Sequence, residues 1–240
     1  MGSKNFFGKF SFIYRKLIIS IVLYLVGLSV TAGDIATFVN LGFSADSQYF
    51  MFGQYGIEQT QNVPYSKVQI VDVKKNDFVP NGGGEYYGRN SIESANSGLG
   101  ALVTLLEENF EGRFKSYQIN HLNSGRLLYI LLDGDEPSQQ IDFRDFVAGT
   151  RYRVKVIQTV SGFDSDVRST FYLLLSVDES SGTKNFTVGS PNYSRKHVQN
   201  YVVRQVILAP SGRALVFLIE RNEYDSDGYN VRYMVETIEF

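Results

Sequence analysis

The chain has 240 residues, of which 43% are hydrophobic, 20% charged and 14% aromatic, and its formal net charge is −2. This balance is typical of a globular protein rather than a disordered one. The absence of cysteine excludes disulfide bonds, thiolate metal sites and a thiol nucleophile. Two histidines leave little basis for a multi-histidine metal site.

The first 32 residues are predicted to form a cleaved secretory signal peptide. Residues 1–16 carry four basic side chains and no acidic one, and the uncharged run at residues 17–30 is 14 residues long. A helix that spans a bilayer needs about 20 residues, and the small residues that end at Ala32 suit a signal peptidase. We expect cleavage after Ala32. The alternative is an uncleaved N-terminal membrane anchor.

The mature chain, residues 33–240, would contain 208 residues with 19 basic and 25 acidic side chains, a formal net charge of −6. This charge argues against nucleic acid as a partner. No polybasic segment is present to hold anionic lipid, and no stable membrane span is expected after cleavage. Export without cysteine is typical of a periplasmic or secreted bacterial protein.

Most of the mature chain is predicted to form β-strands. Short runs rich in Val, Ile, Tyr, Phe and Leu alternate with turn residues such as Gly, Asn, Asp and Ser. The predicted strands are residues 36–43, 49–55, 67–73, 127–132, 152–159, 170–177, 201–208, 214–221 and 231–238.

Two segments depart from this strand pattern. Residues 97–114 place apolar side chains at three- and four-residue steps, which predicts one amphipathic helix with a turn near Gly112. Residues 81–90 are rich in glycine and are predicted to form a mobile surface loop.

An internal repeat links the two ends of the mature chain. Residues 40–55 and 205–220 share a pattern of strand, polar turn and apolar strand, and residues 121–130 match it through a Ser-Gly-Arg turn. These units resemble β-propeller blades, with the segment FSADSQY at residues 43–49 and APSGR at residues 209–213. We expect a single mainly β domain of antiparallel sheets, either partly propeller-like or a β-sandwich.

The order of residues also resembles a bacterial family of predicted secreted proteins of unknown function. The resemblance is carried by GDIATFVNLGFS at residues 33–44, the Pro64-Tyr65 pair, residues 71–73 and the strand at residues 231–237. It extends over nearly the whole mature chain. It implies export and a single unit, and it supplies no catalytic residues.

Acidic residues alternate in three polar loops that are candidates for calcium binding. Alternating carboxylates near a glycine suit Ca²⁺, which takes 6–8 oxygen ligands. Asp, Asn, Ser and Gly are also the usual residues of solvated turns, which is the alternative interpretation. The candidate ligands are Asp133, Asp135, Asp164, Asp166, Asp225, Asp227 and Asn230.

Loop aromatics are the second set of candidate residues. Tyrosine is common in interface anchors, so Tyr55, Tyr65, Tyr86 and Tyr87 are predicted to form a ligand or partner surface. The alternative is that these side chains cap sheet edges.

The sequence favours an exported, non-catalytic interaction or structural protein of the cell envelope. Its partner would be an envelope protein or glycan, with no cofactor apart from the calcium considered above. The alternative is an envelope hydrolase or Ca²⁺-dependent enzyme that uses the acidic loops. If those loops converged in one cleft, the enzyme would be favoured; if they were scattered, the binding protein would be.

Overall fold

The computed structural model describes residues 33–59, 61–88, 97–226 and 228–240, so the predicted signal peptide lies outside the described residues. Sheet I has the order β4-β3-β2-β1-β5, sheet II the order β10-β9-β8-β7 with β11 also paired to β9, and sheet III the order β14-β13-β12-β6. All strand pairs within these sheets are antiparallel, which confirms the predicted mainly β fold.

The strands of each sheet come mostly from one continuous part of the chain, and the two α-helices form a single insertion between β4 and β5. Sheet I contains β1 (Thr37–Ser44), β2 (Tyr49–Glu58), β3 (Val63–Asp72), β4 (Asp77–Tyr87) and β5 (Ile119–Asn120), with α1 (Ser97–Asn109) and α2 (Glu111–Ser116) inserted before β5. Sheet II contains β7 (Gln140–Arg144), β8 (Arg151–Ser161), β9 (Arg168–Glu179), β10 (Gly182–Val188) and β11 (Arg195–Lys196). Sheet III contains β6 (Arg126–Ile130), β12 (Val198–Leu208), β13 (Ala214–Asp225) and β14 (Gly228–Glu239).

Sheet III is the central layer, because both of its faces are covered by other sheets. The first six residues of β13 are all buried. Leu215, Phe217 and Ile219 belong to the core shared with sheet II. Val216 and Leu218 belong to the core shared with sheet I. Successive side chains of a strand point to opposite faces, so an unbroken apolar run is what a strand between two layers requires.

The helical segment covers the outer face of sheet I. Leu102, Leu105 and Phe110 are buried there against Met51 and Ile70. The predicted helix is confirmed, although it is divided at Phe110, whose ring is wholly buried, instead of ending at a turn near Gly112. Full burial of a large apolar side chain contributes about 1.5–3 kcal/mol to stability.

The predicted glycine-rich loop is wrong for residues 81–87, which belong to strand β4; residues 89 and 90 lie outside the described part of the chain. Its glycines serve close packing. A Cβ atom on Gly84 would lie 2.7 Å from Cε2 of Phe110. Glycine therefore lets the helical segment approach the strand backbone, and the composition typical of a loop has a packing cause.

Two of the three predicted repeat units form hairpins that contact each other. The β1–β2 and β12–β13 turns meet where Ser211 N–H donates to Ser47 Oγ at 3.1 Å. The third unit is not a hairpin, because β5 pairs with β1 in sheet I whereas β6 pairs with β12 in sheet III. Residues 121–125 thus carry the chain from one sheet to another. The likeness to propeller blades stays a prediction.

Candidate functional site

A polar cleft of about 660 Å³ lies along β14, the edge strand of sheet III. Alternate residues of β3 form one wall, among them Lys67 and Gln69. The other wall is formed by Tyr193, from the connection between β10 and β11, and by Arg195, the first residue of β11. Tyr233 contributes from β14 itself. All three sheets therefore supply side chains to this space, which we call the β14 cleft.

The position of Arg195 follows from a tight chain reversal. His197 has φ +63°, a left-handed conformation that few side chains favour. Its N–H donates to the carbonyl oxygen of Val167 at 2.8 Å, and its carbonyl accepts from Tyr224 N–H at 2.6 Å. These bonds fix the step from sheet II to sheet III and hold Arg195 beside β14.

Arg195 is largely buried among aromatic rings. Its side chain is 14% exposed, and Nη2 lies 3.4 Å from Oε1 of Glu236. The guanidinium carbon is 4.8 Å from the ring centre of Tyr193 and 5.6 Å from that of Phe171. Such stacking stabilises the cation without using its N–H groups. Nη1 is buried and has no hydrogen-bond partner among the described residues.

Arg221 lines the same cleft from β13. It forms an ion pair with Glu223 at 2.8 Å, and its side chain is 24% exposed. Its Nε is buried without a partner in the described part of the chain. Burial lowers the pKa of the Arg221 guanidinium; Glu223 opposes this effect, while the nearby charge of Arg195 adds to it. The positive charges of the two arginines therefore repel each other.

The carboxylate of Glu236 lines the same cleft as the two arginines. It accepts a hydrogen bond from Asn76 Nδ2 at 2.5 Å, and its side chain is 6% exposed. Burial raises the pKa of Glu236, while the Asn76 bond and the charge of Arg195 act in the opposite direction. Gly189 has φ +88°, and a Cβ atom there would lie 3.2 Å from the Glu236 carboxylate.

Side chains of sheet I cap much of the outer backbone edge of β14. The Gln54 amide pairs with both backbone groups of Tyr233, at 3.0 and 2.9 Å. Asn76 Oδ1 accepts from Thr237 N–H at 2.6 Å. Farther along, Val231 is paired with the segment that precedes β1. These contacts prevent another long strand from pairing with the edge of β14. The cleft therefore suits a compact ligand better than an extended peptide.

The four predicted tyrosines lie in strands and are divided between the two faces of sheet I. Tyr55 and Tyr86 pack on the helical side. Tyr65 and Tyr87 stack on the opposite side with ring centres 6.1 Å apart. Tyr65 is 4% exposed, whereas Tyr87 is 58% exposed. The structure does not bring the four side chains into one surface, and a partner surface built on them stays a prediction.

Tyr65 belongs instead to a buried ionic cluster, the Asp34 corner, formed by Asp34, Tyr65 and Arg232. Arg232 Nη2 donates to Asp34 Oδ2 at 2.8 Å, and Tyr65 Oη donates to Asp34 Oδ1 at 3.3 Å. Burial raises the pKa of Asp34 in spite of the opposing charge of Arg232. Burial likewise raises the pKa of the Tyr65 hydroxyl.

The acidic loops lie in different settings. Asp133 forms an ion pair with Arg204, while Asp135 lies in the exposed turn that follows. Asp164 and Asp166 form the short 3₁₀ helix between β8 and β9.

In the β13–β14 hairpin, Asn230 Nδ2 donates to Asp225 Oδ2 at 2.9 Å, and Asp227 lies outside the described residues. Within the described ranges, no three acidic or histidine side chains form a group that could hold a metal ion. Calcium binding stays a prediction, with Asp225 and Asn230 as the pair that is brought together.

Sequence reasoning missed Arg195, Arg221 and Glu236. Arg221 had a readable signal, because it continues the period of two set by Leu215, Phe217 and Ile219 and therefore points to the same buried face. Arg195 had none, because its neighbours come from strands that are distant in sequence.

The fold and cleft define a layered antiparallel β protein with a polar cleft along a sheet edge. Residues 51–239 match a family model described as "Predicted secreted protein (DUF2259)", and the chain belongs to this family. The family resemblance inferred from the sequence is confirmed. No curated protein and no solved structure matches the chain. Within the described residues, no helix has both the length and the hydropathy needed to cross a membrane.

Proposed function

We propose that the protein is exported, is cleaved after Ala32, and acts as a non-catalytic binding protein of the bacterial cell envelope through the β14 cleft. The family description supports export. The cleft carries the binding part, because its volume of about 660 Å³ falls within the range typical of ligand sites, about 300–1,000 Å³. Its partner is an envelope protein or glycan that presents a compact polar group.

Contacts made directly after the predicted cleavage site support a mature chain that begins at Gly33. A Cβ atom on Gly33 would lie 1.5 Å from the Tyr229 carbonyl oxygen, so the segment packs tightly at this point. Asp34 N–H donates to Asn230 Oδ1 at 2.9 Å, and the Asp34 carbonyl accepts from Val231 N–H at 2.8 Å. A chain processed at this site keeps all of these contacts.

The export part is tested by expressing the full chain in a bacterial host and measuring its mass in each cell fraction. We expect the periplasm or medium to contain the polypeptide that begins at Gly33. An Ala32→Arg variant should keep its leader, because signal peptidase requires a small residue before the cut. Recovery of the wild-type chain from the cytosol with Met1 intact would overturn the proposal.

The binding part is tested by hydrogen exchange of the processed protein with and without a solubilised envelope extract. We expect protection of residues 189–196 and of β14, which border the cleft. Tyr193→Ala should weaken this protection, whereas Phe163→Ala, a change at an exposed aromatic outside the cleft, should leave it unchanged. Protection confined to another surface, or none at all, would contradict the assignment of the cleft.

A further inference from the structure

We propose that the β14 cleft binds a small hydrophilic ligand through an oxyanion, a carboxylate or a phosphate group, held between Arg195 and Arg221. This inference rests on the proposed binding function and names the chemistry of its ligand. The net negative charge of the mature chain disfavours long polyanions. It does not prevent recognition of one anionic group inside a cleft that has its own local charge.

Both guanidinium groups carry donors that no described residue uses. Arg195 Nη1 and Arg221 Nε are buried without partners among the described residues. Buried polar groups are normally hydrogen-bonded, and an unpaired donor on a charged group is costly. A guanidinium presents its N–H groups as a planar fork that matches carboxylate and phosphate oxygens. Both donors are buried, so binding requires each side chain to rotate until the donor reaches a ligand in the cleft.

The charges of the two arginines also favour an anion in the cleft. Arg195 and Arg221 line the same cleft, and Arg195 forms an ion pair with Glu236 whereas Arg221 forms one with Glu223. The charge of Arg195 is one of the causes that lower the pKa of Arg221. An anion between the two cations removes their repulsion. Glu236 competes for the Arg195 guanidinium, so its charge should weaken binding of the ligand.

The rest of the cleft lining suits a ligand whose body is hydrophilic. Amide and hydroxyl side chains such as Gln69 and Ser190 line the cleft, and Tyr193 and Tyr233 add aromatic rings. Such a lining suits a hydroxylated ligand better than an apolar one. The capped edge of β14 disfavours an extended peptide. An acidic sugar and a polyol phosphate are two sources of the required oxyanion.

The test is calorimetric titration of the processed protein with D-glucuronate and with glycerol 3-phosphate, using glucose and glycerol as matched neutral probes. We expect at least one anion to bind and both neutral probes to fail. Arg195→Gln and Arg221→Gln should each weaken binding about tenfold or more, as expected for loss of a charge-assisted contact. Glu236→Gln should tighten binding several-fold. Arg153→Gln, an exposed arginine paired with Asp142, should leave it unchanged.

A direct measurement on the wild-type protein covers the case in which an arginine variant fails to fold. The Nε–H resonance of Arg221 should shift when the bound anion is added. The Nε–H of Arg153, which already donates to Asp142 Oδ1 at 2.8 Å, should stay in place. Binding of neither anion, equal binding of the neutral probes, or an unmoved Arg221 resonance would overturn the proposal.

The outcome also separates this inference from the proposed function. If neither anion binds but envelope extract still protects the cleft, the binding function stands and the ligand chemistry is wrong. If an anion binds while the extract protects another surface, the oxyanion site stands and the cleft is not the place where the envelope partner binds.

Discussion

Two arginine clusters lie side by side on sheet III and differ in how fully their donors are bonded. Arg221 and Arg232 are directly paired across β13 and β14. In the Asp34 corner, Arg232 Nη1 donates to the carbonyl oxygens of Asp34 and Val231 at 3.1 and 3.0 Å, and Nη2 donates to the Asp34 carboxylate. In the β14 cleft, Arg221 has a carboxylate partner in Glu223, but its Nε has no partner among the residues that the structure describes.

This difference separates a structural cluster from a binding site. A buried charge is tolerated when its partner and hydrogen bonds compensate for lost hydration. The Asp34 corner meets that requirement and joins the segment before β1 to β14. The β14 cleft meets it only in part, because two of its buried donors have no partner in the described part of the chain; we infer that these are the donors a ligand would use. Mutations should therefore affect folding in the first cluster and ligand binding in the second.

The largest expected effect is on the Asp34 corner. Arg232→Ala leaves the Asp34 carboxyl, 4% exposed, without its ion-pair partner. Removing one member of a buried pair costs about 3–5 kcal/mol of unfolding free energy. Urea denaturation measures this loss, and Arg213→Ala, at an exposed site, is the control. A loss below about 1 kcal/mol, the scale of an exposed pair, would contradict the structural role.

The next effect concerns the bond between sheets I and III. Gln54→Leu keeps the approximate shape of a side chain that is 2% exposed, but it removes both bonds to the Tyr233 backbone. Leaving buried polar groups unpaired costs about 1–3 kcal/mol, and we expect a loss of about 2 kcal/mol in urea denaturation. Gln69→Leu, on the neighbouring strand, is the matched control. Equal losses of unfolding free energy for both variants would show that stability depends on the polarity of the cleft and not on the two bonds to Tyr233.

Much of this fold was predictable because the sheets are built from apolar alternation. All nine predicted strands correspond to observed ones, and the apolar run at residues 214–219 is fully buried in the structure. Strands β4, β5, β7, β10 and β11 were not predicted. β10 is an edge strand with mostly exposed side chains, so it carries little hydrophobic signal. Backbone pairing alone defines such strands, and pairing is not visible in composition.

The candidate site was less predictable because it depends on which strands become neighbours. The sequence pointed to Asp residues as calcium ligands and to Tyr residues as a ligand or partner surface. The cleft instead contains arginines from β11 and β13. The period of its strand could have revealed Arg221, but its proximity to Arg195 depends on the chain reversal at His197. A contact across separate sheets cannot be derived from local pattern.

A smaller effect should appear in the pH dependence of stability. Burial raises the pKa of Glu236 above its ordinary value of 4.5, so the folded state keeps a proton that the unfolded state has lost. This contribution is present below that ordinary value and is lost as pH rises through the raised pKa. Between the ordinary and the raised pKa, each unit of pH lowers the free energy of unfolding by about 1.4 kcal/mol.

Glu236→Gln removes this titration and should gain stability relative to the wild type as pH rises from about 4.5 toward neutrality. Urea denaturation across that window measures the difference, in which the common contributions of other carboxyls cancel. Glu239→Gln, on the same strand and 43% exposed, is the control. Parallel curves for wild type and Glu236→Gln would show that burial of Glu236 has no energetic consequence.

The smallest expected loss of stability comes from the exposed Arg153–Asp142 ion pair, which separates the effect of a good hydrogen bond from the effect of burial. Arg153 Nε donates to Asp142 Oδ1 at 2.8 Å, as well formed as the bonds of the Asp34 corner, but the side chains are 57% and 54% exposed. Hydrogen bonds from Gln140 and Arg153 lower the pKa of Asp142, so this contribution is present above pH 3.8 and is lost as pH falls through the lowered pKa.

Arg153→Gln should cost no more than about 0.5 kcal/mol, because solvent screens an exposed pair. Urea denaturation at low salt and at about 1 M salt, where the screening length is about 3 Å, should show that even this loss disappears. A cost near that of Arg232→Ala would mean that a short hydrogen bond stabilises the fold regardless of burial. The contrast between the β14 cleft and the Asp34 corner would then depend only on the number of hydrogen bonds that each forms, and burial would have no part in it.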